Sequence, residues 1–211
     1  MSAPEPSLPV AGTVVLVRAS DPGFEVLLIR RPDRGSFAGA WVFPGGKVEP
    51  GDLHEDEDAG EGEGATEVED ARRAAIRETF EEVGLTVADL VVLSEWRPPI
   101  EAPTRIRTWF FLAEAPDEEA SPSADEVAEL AWVRPAEALA RHGSGEWTLF
   151  PPTWLTLHQL SAFDGAASAM SSGGAAQLFE TRVLETEEGR AFAWEQGRLE
   201  AGALPWRFVA S

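Results

Sequence analysis

Cysteine is absent from the 211 residues. Disulfides and thiol nucleophiles are thereby excluded, and the composition fits a cytoplasmic home. Lysine occurs once, at Lys47, and the formal charge is −20. So acidic a surface repels phosphate backbones and anionic lipid, so neither nucleic acid nor a membrane is expected as a partner. A polyanionic substrate would need local help from arginines or metal ions. No run approaches the roughly 18 apolar residues of a membrane-spanning helix. The opening MSAPEPSLPV lacks the basic region and apolar core of a signal peptide, and the final VAS is not the peroxisomal SKL. The histidines, His54, His142 and His158, are scattered, with no metal-ligand spacing, and read as surface or capping residues.

What is present argues for one packed domain with additions: 44% of the residues are apolar. Residues 1–10 read as a flexible Pro- and Ser-rich tail. GTVVLVRA (12–19) and FEVLLIRR (24–31) read as adjacent strands around the turn DPG. WVFPGGKVEPGD begins as a short strand and breaks at Pro44-Gly45-Gly46. Residues 53–65 are acidic and Gly-rich, with little apolar surface to pack, and read as a flexible insertion. DLVVLSEWRP (89–98), TRIRTWFFLAEA (104–115) and LAWVR are expected as strands. PAEALARHG and PPTWLTLHQLSAF are expected as helices opened by proline. GAASAMSSGGAAQ reads as mobile at its start, and TRVLETEEGRAFAWE as a hairpin turning near Glu188-Gly189. No internal repeat is present.

The strongest helix spans Thr66 to Val83. Thr66-x-x-Glu69 has the form of a capping box, and Gly84 sits where a helix stops. Val68, Ala71, Ala75, Thr79 and Val83 share a face, with Ile76 beside them, and that stripe points to the core. Beside it, RETFEEVGL (77–85) carries Glu78, Glu81 and Glu82. At about 100° per residue the three project from an arc of roughly 100°. Like charges so placed repel by roughly 0.2–0.5 kcal/mol per pair. Either this is a solvated acidic face or a cation sits there, and hard divalent ions suit clustered carboxylates.

Joined to the loop before it, the helix resembles the signature of the Nudix hydrolases, G-x5-E-x7-R-E-U-x-E-E-x-G-U, where U is bulky and apolar. Arg77, Glu78, Glu81, Glu82, Gly84 and Leu85 match as they stand, and Phe43-Pro44-Gly45-Gly46 matches the first half. Thr79 stands at a usually apolar position. Counting forward from Gly46 reaches Asp52, whereas counting back from Arg77 reaches Glu69, so the acidic Gly-rich segment between them is an insertion. Asp52 and Glu69 both remain candidates for the early acidic position.

The resemblance covers residues 10 to 140 and implies an α/β fold: an α/β/α sandwich around a mixed β-sheet, here with a carboxy-terminal helical extension. The expected organisation is a Nudix domain over 11–141 with 142–211 packed on it. The implied reaction is hydrolysis of a nucleoside-linked diphosphate with Mg²⁺ or Mn²⁺, which offset phosphate charge and activate water. By resemblance Glu78, Glu81 and Glu82 are the metal ligands, joined by the Gly45 carbonyl, and Arg77 orients the carboxylates. A further acid is expected from Glu126, with Glu129 as the alternative. Arg30, Arg31, Arg34 and Gly46 are candidates for substrate phosphates, and Arg105 and Arg107 weaker ones. Trp41, Trp96 and Trp109 could stack a base or lie in the core.

The insertion and an extension opening with PPTWLTLHQL resemble the branch that includes coenzyme A diphosphatases. Coenzyme A or an acyl-coenzyme A is therefore the expected substrate. ADP-ribose or NADH is the alternative, and a catalytically silent nucleotide- or protein-binding module a second. A homo-oligomer is compatible with the sequence.

Overall fold

The computed structural model describes residues 8–35, 37–53 and 63–211. Its centre is an eight-stranded mixed sheet built on β1 (Val10–Ala19). β1 pairs antiparallel with β2 (Phe24–Arg30) and β4 (Gly45–Lys47), and parallel with β6 (Arg107–Glu114). β3 (Trp41–Val42) and β7 (Glu129–Val133) flank β2, while β5 (Val91–Arg97) flanks β6. β8 (Gln177–Glu180) closes the far edge, parallel to β5.

The VVLV run of β1 is apolar throughout because both faces of the sheet are covered. Val14 and Leu16 pack under α1 (Glu63–Val83), against Ala71, Ala75 and Val83. Val15 and Val17 face the other way, into a core with Trp154, Leu155 and Leu157 of α3 (Pro151–Leu160) and Ala138 of α2 (Pro135–Gly143). The result is the expected α/β/α sandwich. Gly12 lets α1 approach the sheet: a Cβ there would stand 1.8 Å from the Ala71 carbonyl oxygen. Thr79 is fully buried, its hydroxyl donating to the Ala75 carbonyl at 2.7 Å, which satisfies the one polar group on the buried stripe.

Several expectations change. α1 opens at Glu63, so Thr66 lies inside the helix and its capping box does not start it. The helix thus takes up the end of the expected insertion; Leu53 at the insertion's start is exposed, and residues 54–62 lie outside the described residues, as do residues 1–7 of the expected tail. The tail reading fails at its end, where Pro9 accepts a hydrogen bond from the Arg107 amide at 2.9 Å and Val10 enters β1.

The extension is helical only in its first part. GAASAM forms α4 (Ala166–Met170), where a mobile segment was expected. Next, β9 (Arg182–Thr186), β10 (Gly189–Trp194), β11 (Gly197–Glu200) and β12 (Arg207–Ala210) make an antiparallel sheet. The expected hairpin is its first turn, with Gly189 opposite Thr186. Short polar strands alternating with glycine turns carry little periodic signal, which explains the narrower expectation. Trp194 packs edgewise on Trp96 with centroids 5.6 Å apart, joining this sheet to the main core. His142 is buried, Nδ1 lying 3.0 Å from the Trp147 carbonyl oxygen, so it is no surface residue. His54 is not among the described residues.

Candidate active site

Arg77 is the hub of the site. Its Nε and Nη2 donate to the two carboxylate oxygens of Asp52 at 3.1 and 2.9 Å. Nη2 also reaches the Lys47 carbonyl at 3.0 Å, and Nη1 donates to Glu78 and Glu81, both at 2.9 Å. One planar guanidinium thus ties the 3-10 turn Pro50–Asp52, strand β4 and two carboxylates of α1 into one frame. Asp52 is buried and also accepts the Glu49 amide at 2.8 Å. Burial opposes its ionisation, but the bonds from Arg77 and Glu49 outweigh that and hold its pKa below the ordinary value. Glu69 points elsewhere, paired with Arg72 at 3.2 Å.

Glu82 sits one turn beyond Glu78 with 1% of its surface exposed. The Gly45 amide donates to one oxygen at 2.9 Å, and Arg31 bonds the other. Burial nevertheless lifts its pKa to about 7, helped by the negative charges of Glu78 and Glu126. Burial also raises Glu78, against the pull of Arg77 and with added repulsion from Glu81 and Glu126. Gly46 makes room for this carboxylate: a Cβ there would stand 2.2 Å from the Glu78 carboxyl carbon.

Glu126 arrives on the loop between β6 and β7. The Ser121 and Ser123 amides donate to the last α1 carbonyls, Val83 and Glu82, at 2.7 and 2.8 Å. The Ala128 amide bonds the Arg30 carbonyl at 2.9 Å, and Arg34 donates to the Asp125 carbonyl at 2.9 Å. So braced, the loop brings oxygens of Glu126, Glu78 and Glu82 within 4.8 Å of one another. Ligands on opposite sides of Mg²⁺ lie about 4.2 Å apart, so a small contraction would seat an ion. An all-oxygen donor set, two of whose members are forced toward neutrality by burial and mutual repulsion, is short of positive charge and suits a hard divalent cation.

Not every candidate converges. Glu81 is half exposed and stands outside the trio, on Arg77. Glu129 pairs with Arg30 at 2.8 Å. Arg30, Arg31 and Arg34, candidates for phosphate binding, are all engaged with this protein's own acceptors. Arg107 bonds Glu67 at 2.6 Å, near the other end of α1. Trp41 and Trp96 are buried, and the Trp109 indole donates to Glu67 at 2.9 Å, so these rings are structural. What sequence reasoning missed is the brace, made mainly by backbone groups that carry no residue signature.

A carboxylate-bearing helix and a glycine turn are set on a mixed sheet in an α/β/α sandwich, and three carboxylates there form an all-oxygen donor set. The family model described as NUDIX domain matches residues 8–152, and the chain belongs to that family. It is accordingly a pyrophosphohydrolase acting on nucleoside-diphosphate-linked substrates, in a family that generally uses divalent metal ions. The fold is similar to that of a NUDIX hydrolase from Alicyclobacillus acidocaldarius, at 24% identity and a TM-score of 0.67 over 81% of this chain and 98% of that one. A MutT NUDIX hydrolase from Burkholderia pseudomallei gives 25% and 0.50, covering 73% of this chain and 98% of that one. The NUDIX domain of Shewanella oneidensis NrtR, solved with ADP ribose, gives 17% and 0.51, covering 75% and 90%. No curated protein matches the chain. Among the described residues no helix is long and apolar enough to cross a membrane.

Proposed function

We propose that this enzyme cleaves the diphosphate of coenzyme A or an acyl-coenzyme A, using Glu78, Glu82 and Glu126 to hold Mg²⁺ or Mn²⁺. The convergence of those three carboxylates carries the hydrolytic part of the reading. Bound there, the metal would neutralise phosphate charge and lower the pKa of a coordinated water. Glu82 is fixed at both oxygens by Arg31 and Gly45, which suits a stationary ligand. Glu126 is exposed, with no protein donor on its carboxylate among the described residues. One of these carboxylates would take a proton from attacking water as a P–O bond of the anhydride breaks. Arg77 orients Glu78 and Glu81, and the Gly45 carbonyl adds a ligand by family resemblance. Asp52 fills the early acidic role by holding Arg77, which Glu69 does not reach.

The substrate rests on the segment inserted between Asp52 and α1 and on the extension that begins at Pro151. ADP-ribose is the second reading, favoured by the ligand of the Shewanella domain, which shares the fold. A silent binding module has no need of the buried, mutually repelling carboxylates. The deciding experiment is a panel of coenzyme A, acyl-coenzyme A, ADP-ribose, NADH and nucleoside triphosphates, each with Mg²⁺ and with Mn²⁺. Release of 3′,5′-ADP from coenzyme A at the highest kcat/KM supports the proposal, and a preference for ADP-ribose replaces it.

A further inference from the structure

His142 lies in the last turn of α2, buried, and the hydrolytic site makes no use of it. Its Nδ1 is held by the turn that follows, 3.0 Å from the Trp147 carbonyl oxygen and 3.3 Å from the Leu149 amide nitrogen. Nε2, across the ring, is buried with no hydrogen-bond partner among the described residues. A neutral imidazole leaves one lone pair or one N–H unmet there. A protonated one leaves a charged N–H unmet, which costs more. Burial accordingly holds the pKa below the ordinary 6.5, against the pull of the Trp147 carbonyl.

What covers this ring is a late segment of the chain. Trp206 meets it nearly at right angles, with centroids 4.4 Å apart. Gly143 lets that segment close in, since a Cβ there would stand 3.2 Å from the Pro205 Cβ. Further along, Trp206 lies 6.5 Å from Trp154 and Phe208 5.7 Å from His158, both on α3. Residues 204–208 thus strap the end of α2 to α3. The strap is lightly fastened. Every residue from 201 to 211 is exposed or half-buried, and β12 is an edge strand paired only with β11. Such segments open locally at a fraction of the global unfolding free energy.

Neighbouring charges give the ring no counter-ion. On α2 and the turn after it, Arg141 is paired with Glu137 and Glu146. On the strap, Arg207 is paired with Glu200 of β11. The only titratable side chain of α3 is His158, which stacks on Trp154.

We infer that His142 is an acid-sensitive lock on the carboxy-terminal strap: neutral, it seats Trp206, and on taking a proton it releases residues 204–211 while the sandwich stays folded. Opening admits water to the ring and returns its pKa toward 6.5, so protons favour the open form. The strap is fully held above pH 6.5 and loosens as pH falls below it.

The test is hydrogen exchange on the full chain at pH 7.5 and 5.5, read by mass spectrometry and corrected for intrinsic rates. Each pH unit below 6.5 moves the opening equilibrium by up to about tenfold. Protection of the fragment containing β12 should therefore fall at least about fivefold, while that of β1 holds. H142N puts an amide where Nδ1 stood, able to donate to the Trp147 carbonyl but unable to gain charge, so its strap should be equally protected at both pH values. H158Q should behave as wild type. Protection of β12 that ignores pH, a fall that survives in H142N or vanishes in H158Q, or an equal loss in β1 would overturn the inference. Should H142N fail to fold, histidine NMR titration decides: the His142 pKa should lie below 6.5 in wild type and rise toward it in W206A, which unseats the strap. An unchanged pKa in W206A would be equally fatal.

Discussion

Arg77 grips both carboxylate oxygens of Asp52, and this fork joins the two halves of a signature that an insertion has pulled apart in sequence. Removing a buried partner of such a pair strands the other charge, at about 3–5 kcal/mol when both are buried. Arg77 keeps 26% of its side-chain surface exposed, so water can partly replace Asp52 and the cost falls to about 1–3 kcal/mol. D52A should therefore lower the urea midpoint clearly and depress kcat as Arg77 drifts from Glu78. E69A, which loses only the exposed contact to Arg72, should stay within about 1 kcal/mol of wild type and keep its turnover. Chemical denaturation and initial rates on both variants decide which residue holds the early acidic position.

Glu82 makes stability depend on pH in a particular direction. Its pKa rises from an ordinary 4.5 to about 7 in the metal-free fold, so the native state binds a proton that the unfolded chain releases. Its contribution is complete below pH 4.5 and is lost as pH rises through about 7, on the order of 3 kcal/mol in all. His142 and His158, depressed by burial, act oppositely, losing stability as pH falls below their ordinary 6.5. Both histidines remain in E82Q and cancel in the comparison. With chelator present, the Tm of E82Q minus that of wild type should climb between pH 4.5 and 7 and then level off. Mn²⁺ should raise the wild-type Tm more at pH 8 than at pH 5. A flat difference across this range would refute the buried, uncompensated state of Glu82.

Much of this site was legible before any coordinates, and the reasons are physical. Ala71, Ala75, Thr79 and Val83 repeat at helical spacing because they pack on Val14 and Leu16, and the carboxylates beside them inherit that helix's geometry. Glu126 could be chosen because the family resemblance implied an acid from a loop before a late sheet strand, and LAWVR was legible as that strand. Asp52 and Glu69 could not be separated, since counting residues says nothing about which one an inserted segment folds back to Arg77. The partners of Arg31 and Arg34 were illegible for a related reason. An arginine beside a phosphate site and an arginine holding a protein acceptor have the same sequence surroundings. The carboxy-terminal sheet escaped because its strands expose one face and carry weak alternation.

Glutamine at Glu78 or Glu82 keeps the shape and removes the charge that would hold the cation. Either E78Q or E82Q should cut kcat at least about a hundredfold, equivalent to about 3 kcal/mol of barrier. The Tm in chelator should hold in E78Q, where relief of repulsion within the trio offsets the weakened bond to Arg77. It should fall modestly at low pH in E82Q, whose amide –NH2 must face one of two donors, Arg31 or the Gly45 amide. Mn²⁺ titration followed by electron paramagnetic resonance should show the weakened site directly. Wild-type Mn²⁺ affinity in both variants would remove them from the ligand set.

Gly46 tests the same site through volume alone. An added methyl at 2.2 Å from the Glu78 carboxyl carbon forces that side chain aside, while the flexible end of a glutamate can yield without disturbing the fold. G46A should therefore retain its circular dichroism spectrum and lose about tenfold or more in kcat, with the loss absent in an E78Q background. Additive losses in the double variant would mean that Gly46 acts on something other than Glu78.

Arg34 separates positioning from substrate binding. Its guanidinium donates to the Asp125 carbonyl, next to the residue that completes the trio, while Glu82 and Val83 anchor the same loop through backbone bonds. If its work is to hold Glu126, R34A should lower kcat and Mn²⁺ affinity with little change in KM. In an E126Q background R34A should then cost almost nothing more, because the carboxylate it positions is already neutral. If instead Arg34 meets a substrate phosphate, R34A should raise KM at unchanged Mn²⁺ affinity, and its effect should persist in E126Q. The cycle of four proteins, read by steady-state kinetics and by Mn²⁺ binding, gives opposite patterns for the two roles. The carbonyl contact makes the first the expected one.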